Sequence, residues 1–147
     1  MIFTLCGSAR FEKVWHEANK QLGLAGHISF SLMTFPSIES DKTWYTPKKK
    51  TTLDLMHLAK IDASDAVLML NVGDYLGESS QRELAWAVHK GKQVFFLFRS
   101  KWAGTFYLSV PLLDSTPEFR FTVDKIIPSQ GRETLRALCD DYSQEAI

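Results

Sequence analysis

Two carboxylates, Glu78 and Glu83, lie in the segment GESSQRELAWAVHKGK (77–92), where a turn-forming stretch precedes a helical pattern. Ser80, Gln81, Arg82 and Glu83 have the spacing of a capping box, in which the serine caps the helix and the glutamate bonds back to the N–H of the cap residue. Spacing alone favours this structural role for Glu83. A chemical role for the same carboxylate requires a position beside a ligand site, and that position depends on the fold.

The elements that must position this carboxylate alternate between short apolar runs and amphipathic runs. The pattern predicts strands at residues 1–6, about 27–33, 66–72 and 93–98, and helices at about 11–22, 51–65, 79–90 and 133–142. A fifth strand is a candidate at 119–123, and residues 34–50 are predicted to be a long loop. Strands alternating with helices predict an α/β fold, a doubly wound (flavodoxin-like or Rossmann-like) parallel sheet of four to five strands with helices on both faces. We expect one domain over residues 1–147, with a strand order that begins 2-1-3-4.

In a doubly wound sheet, ligands bind outside the carboxyl ends of the strands, where the strand order reverses. The expected order places this point between the first and third strands, so that CGSAR (6–10) and NVGDYLGESS (71–80) face each other. Each turn leads into a helix N-terminus, where free N–H groups and the helix dipole favour an anion. We therefore expect a ligand with a phosphate or carboxylate. The candidate binding residues in the two turns are Gly7, Ser8, Arg10, Asp74, Tyr75, Gly77, Ser79 and Ser80.

These candidates also have ordinary structural roles. Gly7 and Ser8 are expected to form a turn and a helix cap while they contact the ligand. Arg10 either clamps a phosphate or is a surface arginine. Asp74 and Tyr75 either reach the crevice or are turn residues.

The composition limits the classes to which the protein can belong. The chain has 17 Lys plus Arg and 17 Asp plus Glu, so no basic excess points to a nucleic-acid partner, and residues 48–50 are interpreted as solvated loop lysines. No stretch approaches the roughly 18 apolar residues of a membrane span. Cys6 and Cys139 lack metal-ligand spacing and are too few for a disulfide framework, so we expect a cytoplasmic protein with a structural thiol at Cys6.

Three segments carry a family resemblance in this order and separation: TLCGSARF (4–11), DLMHLAKIDASDAVLMLNV (54–72) and RELAWAVHKGKQVFFLF (82–98). Over about residues 1–99, the chain resembles the nucleoside 2-deoxyribosyltransferase superfamily, most of all the compact phage and bacterial branch whose third helix opens GES. The resemblance implies base transfer between deoxynucleosides or hydrolysis of 2′-deoxynucleoside 5′-phosphates. It also implies a small-molecule nucleoside or nucleotide as substrate, no metal or organic cofactor, and a homodimer or higher homo-oligomer.

The same resemblance implies that Glu83 is a nucleophile at C1′ of the sugar, as in retaining glycoside cleavage. We expect the helix N-terminus to help keep its carboxylate ionised. The position of a family carboxylate on the second helix is filled here by His57, which either donates a proton to the base or has a structural role. Small residues usual in the family are replaced by Ser79 and Gln81, and Gln81 is expected to narrow the pocket.

Two other functions stay open. A nucleotide-binding or sensing module would keep the fold without efficient catalysis, and the departures at His57 and Gln81 favour it. A flavin protein is disfavoured because CGSAR lacks a Ser/Thr-rich phosphate loop. Trp44 and Tyr45 either stack on a base or fold back on the core, and the apolar segment 101–113 either forms a subunit surface or is buried.

Overall fold

The computed structural model describes residues 1–35, 42–98, 100–102 and 126–145. Within these residues, one all-parallel sheet in the order β2-β1-β3-β4 contains β1 (Ile2–Cys6), β2 (Ile28–Phe30), β3 (Ala66–Met69) and β4 (Gln93–Phe96). The helices are α1 (Glu12–Leu24), α2 (Pro47–Asp62), α3 (Glu78–His89) and α4 (Ser129–Glu145). The predicted doubly wound α/β fold and strand order are therefore confirmed. The candidate strand at 119–123 and most of segment 101–113 lie outside the described residues.

The sheet has a separate apolar core on each face, because successive side chains of a strand point to opposite sides. Leu5 belongs to the core that includes Trp15 of α1 and Leu135 of α4, whereas Cys6 belongs to the core that includes Ile61 of α2 and Leu84 of α3. In the described part of the chain, no helix is long and apolar enough to cross a membrane.

Helix α2 begins earlier than the sequence pattern predicted. The Thr46 side chain accepts a hydrogen bond from the Lys49 N–H at 3.2 Å, and Pro47 follows as the first helical residue. A threonine cap followed by proline is a recognised helix start, so the predicted loop over 34–50 extended four residues too far. The predicted loop lysines at 48–50 consequently lie in the first turn of α2.

Helix α3 begins at Glu78, after an N-cap at Gly77 that makes no side-chain capping bond. Ser80 is therefore the third helical residue and Glu83 the sixth, and both are buried. The capping box predicted from their spacing is wrong, because glycine also serves as an N-cap and starts the helix three residues earlier. Glu83 needs another explanation. Helix α4 likewise begins at Ser129, before the predicted start at 133.

Candidate functional site

A cavity of about 390 Å³ lies at the carboxyl ends of β1 and β3, where the strand order reverses. This volume lies within the usual range for small-molecule pockets. Its walls come from the turn after β1, from α2 and from the start of α3. The lining residues are Gly7, Ser8, Ala9, Leu32, Thr34, Tyr45, Lys50, Leu53, Asp54, His57, Gly77, Glu78, Ser79, Ser80, Arg82 and Glu83.

Seven of the residues predicted from the sequence lie on this cavity wall: Gly7, Ser8, His57, Gly77, Ser79, Ser80 and Glu83. Gly7 is required by close packing, since a Cβ at this position would lie 3.0 Å from the Leu70 Cβ. Ser8 also caps the short 3-10 turn Ala9–Phe11, where its Oγ accepts a hydrogen bond from the Arg10 N–H at 3.4 Å. Gly7 and Ser8 therefore shape the turn and line the cavity at the same time.

The other three predicted residues lie outside the lining of this cavity. The Arg10 guanidinium stacks 4.2 Å from the ring centre of Tyr75 and 4.8 Å from that of Phe11. Asp74 has a positive φ of 56°, and its carboxylate accepts a hydrogen bond from the Lys101 N–H at 3.1 Å. Arg10 and Tyr75 therefore stabilise the turn surface, and Asp74 is a turn residue.

Glu83 lies in the second turn of α3 with only 9% of its surface exposed. Its Oε2 has no hydrogen-bond partner among the described residues, and one of its carboxyl oxygens lies within 4.8 Å of the Cys6 sulfur. Burial is the main reason that the pKa of Glu83 rises to about 8. The expectation that the helix N-terminus keeps this group ionised at neutral pH is therefore wrong, because the dipole effect fades beyond the first turn.

His57 is buried on α2, and its Nε2 donates a hydrogen bond to the Leu5 carbonyl at 2.8 Å. Because a carbonyl only accepts, the ring proton is on Nε2, and Nδ1 is an unprotonated nitrogen without a partner among the described residues. Burial lowers the pKa of His57 to about 4. The neutral ring is therefore a poor acid at neutral pH, contrary to the proton-donating role suggested by the resemblance.

The charged residues that complete the site were missed in the sequence. Lys50 Nζ lies 2.8 Å from Asp54 Oδ2, and Arg82 Nη2 lies 3.7 Å from the same oxygen. Lys50 and Arg82 also donate to Ser79 Oγ, at 3.5 Å and 3.2 Å. Asp54 precedes His57 by three positions on α2, so the second helix does bring a carboxylate to the cavity. The sequence does indicate part of this group, because the spacing of Lys50, Asp54 and His57 places these residues on one face of a helix.

Gln81 does not line the cavity. Its Nε2 donates to the Leu76 carbonyl at 2.9 Å, so the side chain turns back to the preceding loop instead of narrowing the pocket. Tyr45 does line the cavity, and its ring makes an edge-to-face contact with Trp44 at 5.5 Å. One aromatic ring of the predicted pair is thus available to a planar ligand.

No known protein-family model and no curated protein matches the chain. The chemical groups of the cavity must therefore carry the functional interpretation. They comprise two cations, Lys50 and Arg82, and three carboxyl groups, Asp54, Glu78 and Glu83. Of these carboxyl groups, Glu83 is buried whereas Glu78 is exposed.

Proposed function

We propose that the chain cleaves the N-glycosidic bond of a (deoxy)nucleoside or (deoxy)nucleoside 5′-monophosphate, by hydrolysis or base transfer, with Glu83 as nucleophile. One observation carries this proposal: the buried carboxyl group of Glu83 lies on the cavity wall with Oε2 unpartnered among the described residues. Leaving a buried polar atom unpaired costs free energy. A reacting ligand in the cavity would supply the contact that the folded chain lacks.

Cleavage of the bond between sugar and base develops positive charge at C1′. The Glu83 carboxylate attacks C1′ on the face opposite the base, and the electron pair of the breaking C1′–N bond leaves with the base. Water, or a second base, then attacks C1′ and releases Glu83. Glu83 suits the first step because a carboxylate held beside C1′ stabilises the positive charge that develops there.

Glu83 reacts in its ionised form, although burial raises its pKa to about 8. The nearby charges of Arg82 and Lys50 oppose this rise, so they help to produce the carboxylate. His57 does not protonate the leaving base, because its ring is neutral and its N–H is bonded to Leu5. Solvent supplies that proton in the proposed reaction.

The remaining wall residues favour a nucleotide over a smaller ligand. Lys50, Arg82 and Ser79 form a polar group beside the N-terminus of α3, where an anion such as a 5′-phosphate is stabilised. The ring of Tyr45 offers a flat apolar surface to a base. Membership of the nucleoside 2-deoxyribosyltransferase superfamily and a homo-oligomer are parts of the same proposal and rest on the sequence resemblance. A cytoplasmic location is proposed from the two cysteines.

A second candidate function is a nucleotide-binding or sensing module. Two observations favour it: Glu83 is largely protonated at neutral pH, and His57 is neutral there. A site of this kind would bind a nucleotide through Lys50, Arg82 and Tyr45 without breaking it.

The deciding experiment measures free-base release from ribo- and deoxyribonucleosides and their 5′-monophosphates. Wild type is compared with Glu83→Gln and with Glu78→Gln, a matched control that removes an exposed carboxylate from the same helix and cavity. We expect release by wild type and Glu78→Gln, and a loss on the order of 10³-fold or more in Glu83→Gln.

Thermal melting of all three proteins shows whether each variant still folds. Equal release by wild type and Glu83→Gln would exclude Glu83 as nucleophile. No release from any substrate, with melting temperatures raised by one nucleotide, would instead establish the binding module.

A further inference from the structure

Cys6, His57 and Glu83 form a cluster drawn from β1, α2 and α3, and two of the three, His57 and Glu83, line the cavity. One sulfur, one ring nitrogen and one carboxyl oxygen of these residues lie within 4.8 Å of one another. Two of the residues have a polar atom without a hydrogen-bond partner in the described part of the chain, namely Nδ1 of His57 and Oε2 of Glu83. The base-cleaving mechanism uses Glu83 but explains neither the thiol nor the imidazole.

The types of these three groups match one class of ligand. A thiolate, an imidazole and a carboxylate are ligands of zinc, and a zinc site with three protein ligands keeps a fourth position open. Thiolate sulfur disfavours magnesium and calcium, which prefer oxygen. We propose that Cys6, His57 and Glu83 bind a zinc ion whose open fourth position faces the cavity.

The sulfur and the ring nitrogen are already close to the separation that zinc requires. Tetrahedral zinc with ordinary Zn–S and Zn–N bond lengths places the sulfur and nitrogen about 3.5 Å apart, and Cys6 Sγ lies 3.9 Å from His57 Nε2. Nε2 becomes a ligand when its proton moves to Nδ1; the hydrogen bond to Leu5 is then given up, and the zinc–nitrogen bond must compensate for it. The three ligand atoms must also draw together from separations of up to 4.8 Å.

The charge also balances in the buried position. Binding releases the thiol proton of Cys6 and the carboxyl proton of Glu83 to solvent, and the two resulting negative charges offset the ion. The neutral imidazole of His57 adds no charge. A site with no net charge suits the apolar surroundings of Ile61, Leu84 and Phe96.

Zinc bound here would occupy the carboxylate that attacks C1′. If the proposed function holds, zinc therefore inhibits base release, and its removal restores activity. This consequence rests on the proposed function, whereas binding of the ion does not. The two are tested separately.

The binding test uses cobalt(II) as a coloured substitute for zinc, added to the chelator-treated full chain. We expect one equivalent of cobalt to give a thiolate-to-metal charge-transfer band, and one equivalent of zinc to remove it. Cys6→Ser should abolish the band, and Glu83→Gln should weaken binding at least about 100-fold. Cys139→Ala is the matched control, because it removes the other buried thiol, and it should leave the band intact.

Melting curves of the variants establish that each is folded. Absence of the band in wild type, or its survival in folded Cys6→Ser, would overturn the proposal. For a chain that releases base, micromolar zinc should inhibit wild type but not Cys6→Ser, and equal inhibition of both would refute the link to activity. Failure of the base-release assay itself leaves the cobalt result unaffected.

Discussion

Replacement of Glu83 by glutamine should change how the stability of the protein depends on pH. The wild-type carboxyl group is buried, and its pKa rises from the ordinary 4.5 to about 8 in the folded chain. A raised pKa means that folding favours the protonated acid. The stabilising contribution is therefore complete below pH 4.5 and is lost as the pH rises through 8. Glutamine has nearly the same shape and does not titrate.

The size of the effect follows from the separation of the two pKa values. Each pH unit between them corresponds to about 1.4 kcal/mol. Integrated from pH 5 to pH 9, the wild-type free energy of unfolding should fall relative to that of Glu83→Gln by about 4 kcal/mol. Such a difference is a large part of the stability of a domain of this size.

Urea unfolding at 25 °C, followed by tryptophan fluorescence in the presence of a chelator, measures this difference. Glu78→Gln is the control, because its carboxylate is exposed on the same helix. Its pH series shows how the loss of a carboxylate elsewhere on this helix affects stability. If the stability difference between wild type and Glu83→Gln changes by less than about 1 kcal/mol over that range, the carboxyl group is not held protonated by burial, and the reasoning fails.

Three further predictions concern the same region. Burial lowers the pKa of His57 from 6.5 to about 4, so the stabilising contribution of the neutral ring is present above pH 6.5 and is lost as the pH falls through 4. Urea unfolding should therefore show that wild type loses about 3 kcal/mol of stability relative to His57→Gln between pH 6.5 and pH 4. Gly7→Ala should destabilise the fold by about 1–3 kcal/mol, because the added Cβ would contact Leu70. Gly23→Ala should stabilise the fold by about 0.5–1 kcal/mol, because the added Cβ has open space on α1. Equal melting temperatures for the two variants would contradict this prediction. If the chain releases base, Lys50→Met should move the rising limb of its kcat/KM profile to higher pH, because Lys50 lowers the pKa of Glu83, and an unmoved limb would exclude that interaction.

The fold was predictable because its strands are short apolar runs separated by helical patterns. All four residues of β3, Ala66–Met69, are buried, as expected of a strand covered on both faces. The first residues of the helices were harder to predict, although Thr46 followed by Pro47 is typical of a helix N-terminus. The start of α3 was mispredicted because both Gly77 and Ser80 can serve as its N-cap. Only the backbone conformation shows that Gly77 is the cap.

The site was partly predictable from topology and partly dependent on tertiary contacts. The strand-order reversal predicted from the sequence places Gly7, Ser8 and Ser79 at the ligand crevice, and all three line the cavity. The burial of Glu83 was also readable, because Ala87 follows it by four positions on the buried face of α3. The pairing of Asp54 with Arg82 joins two helices, and no local pattern encodes such a contact.

Buried polar residues elsewhere in the chain show what a structural role looks like in this fold. Asn71 is completely buried, and its Oδ1 accepts from the N–H groups of Leu97 and Phe98 while its Nδ2 donates to the Phe98 carbonyl. Glu83 is buried as well, but its Oε2 has no such partner in the described residues, and the residue is part of the cavity wall. A side chain retained only for stability would be paired as Asn71 is, or replaced by an apolar one. The unpaired Oε2 of Glu83 therefore points to a ligand. The base-release experiment tests a sugar as that ligand, and the cobalt experiment separately tests a metal ion.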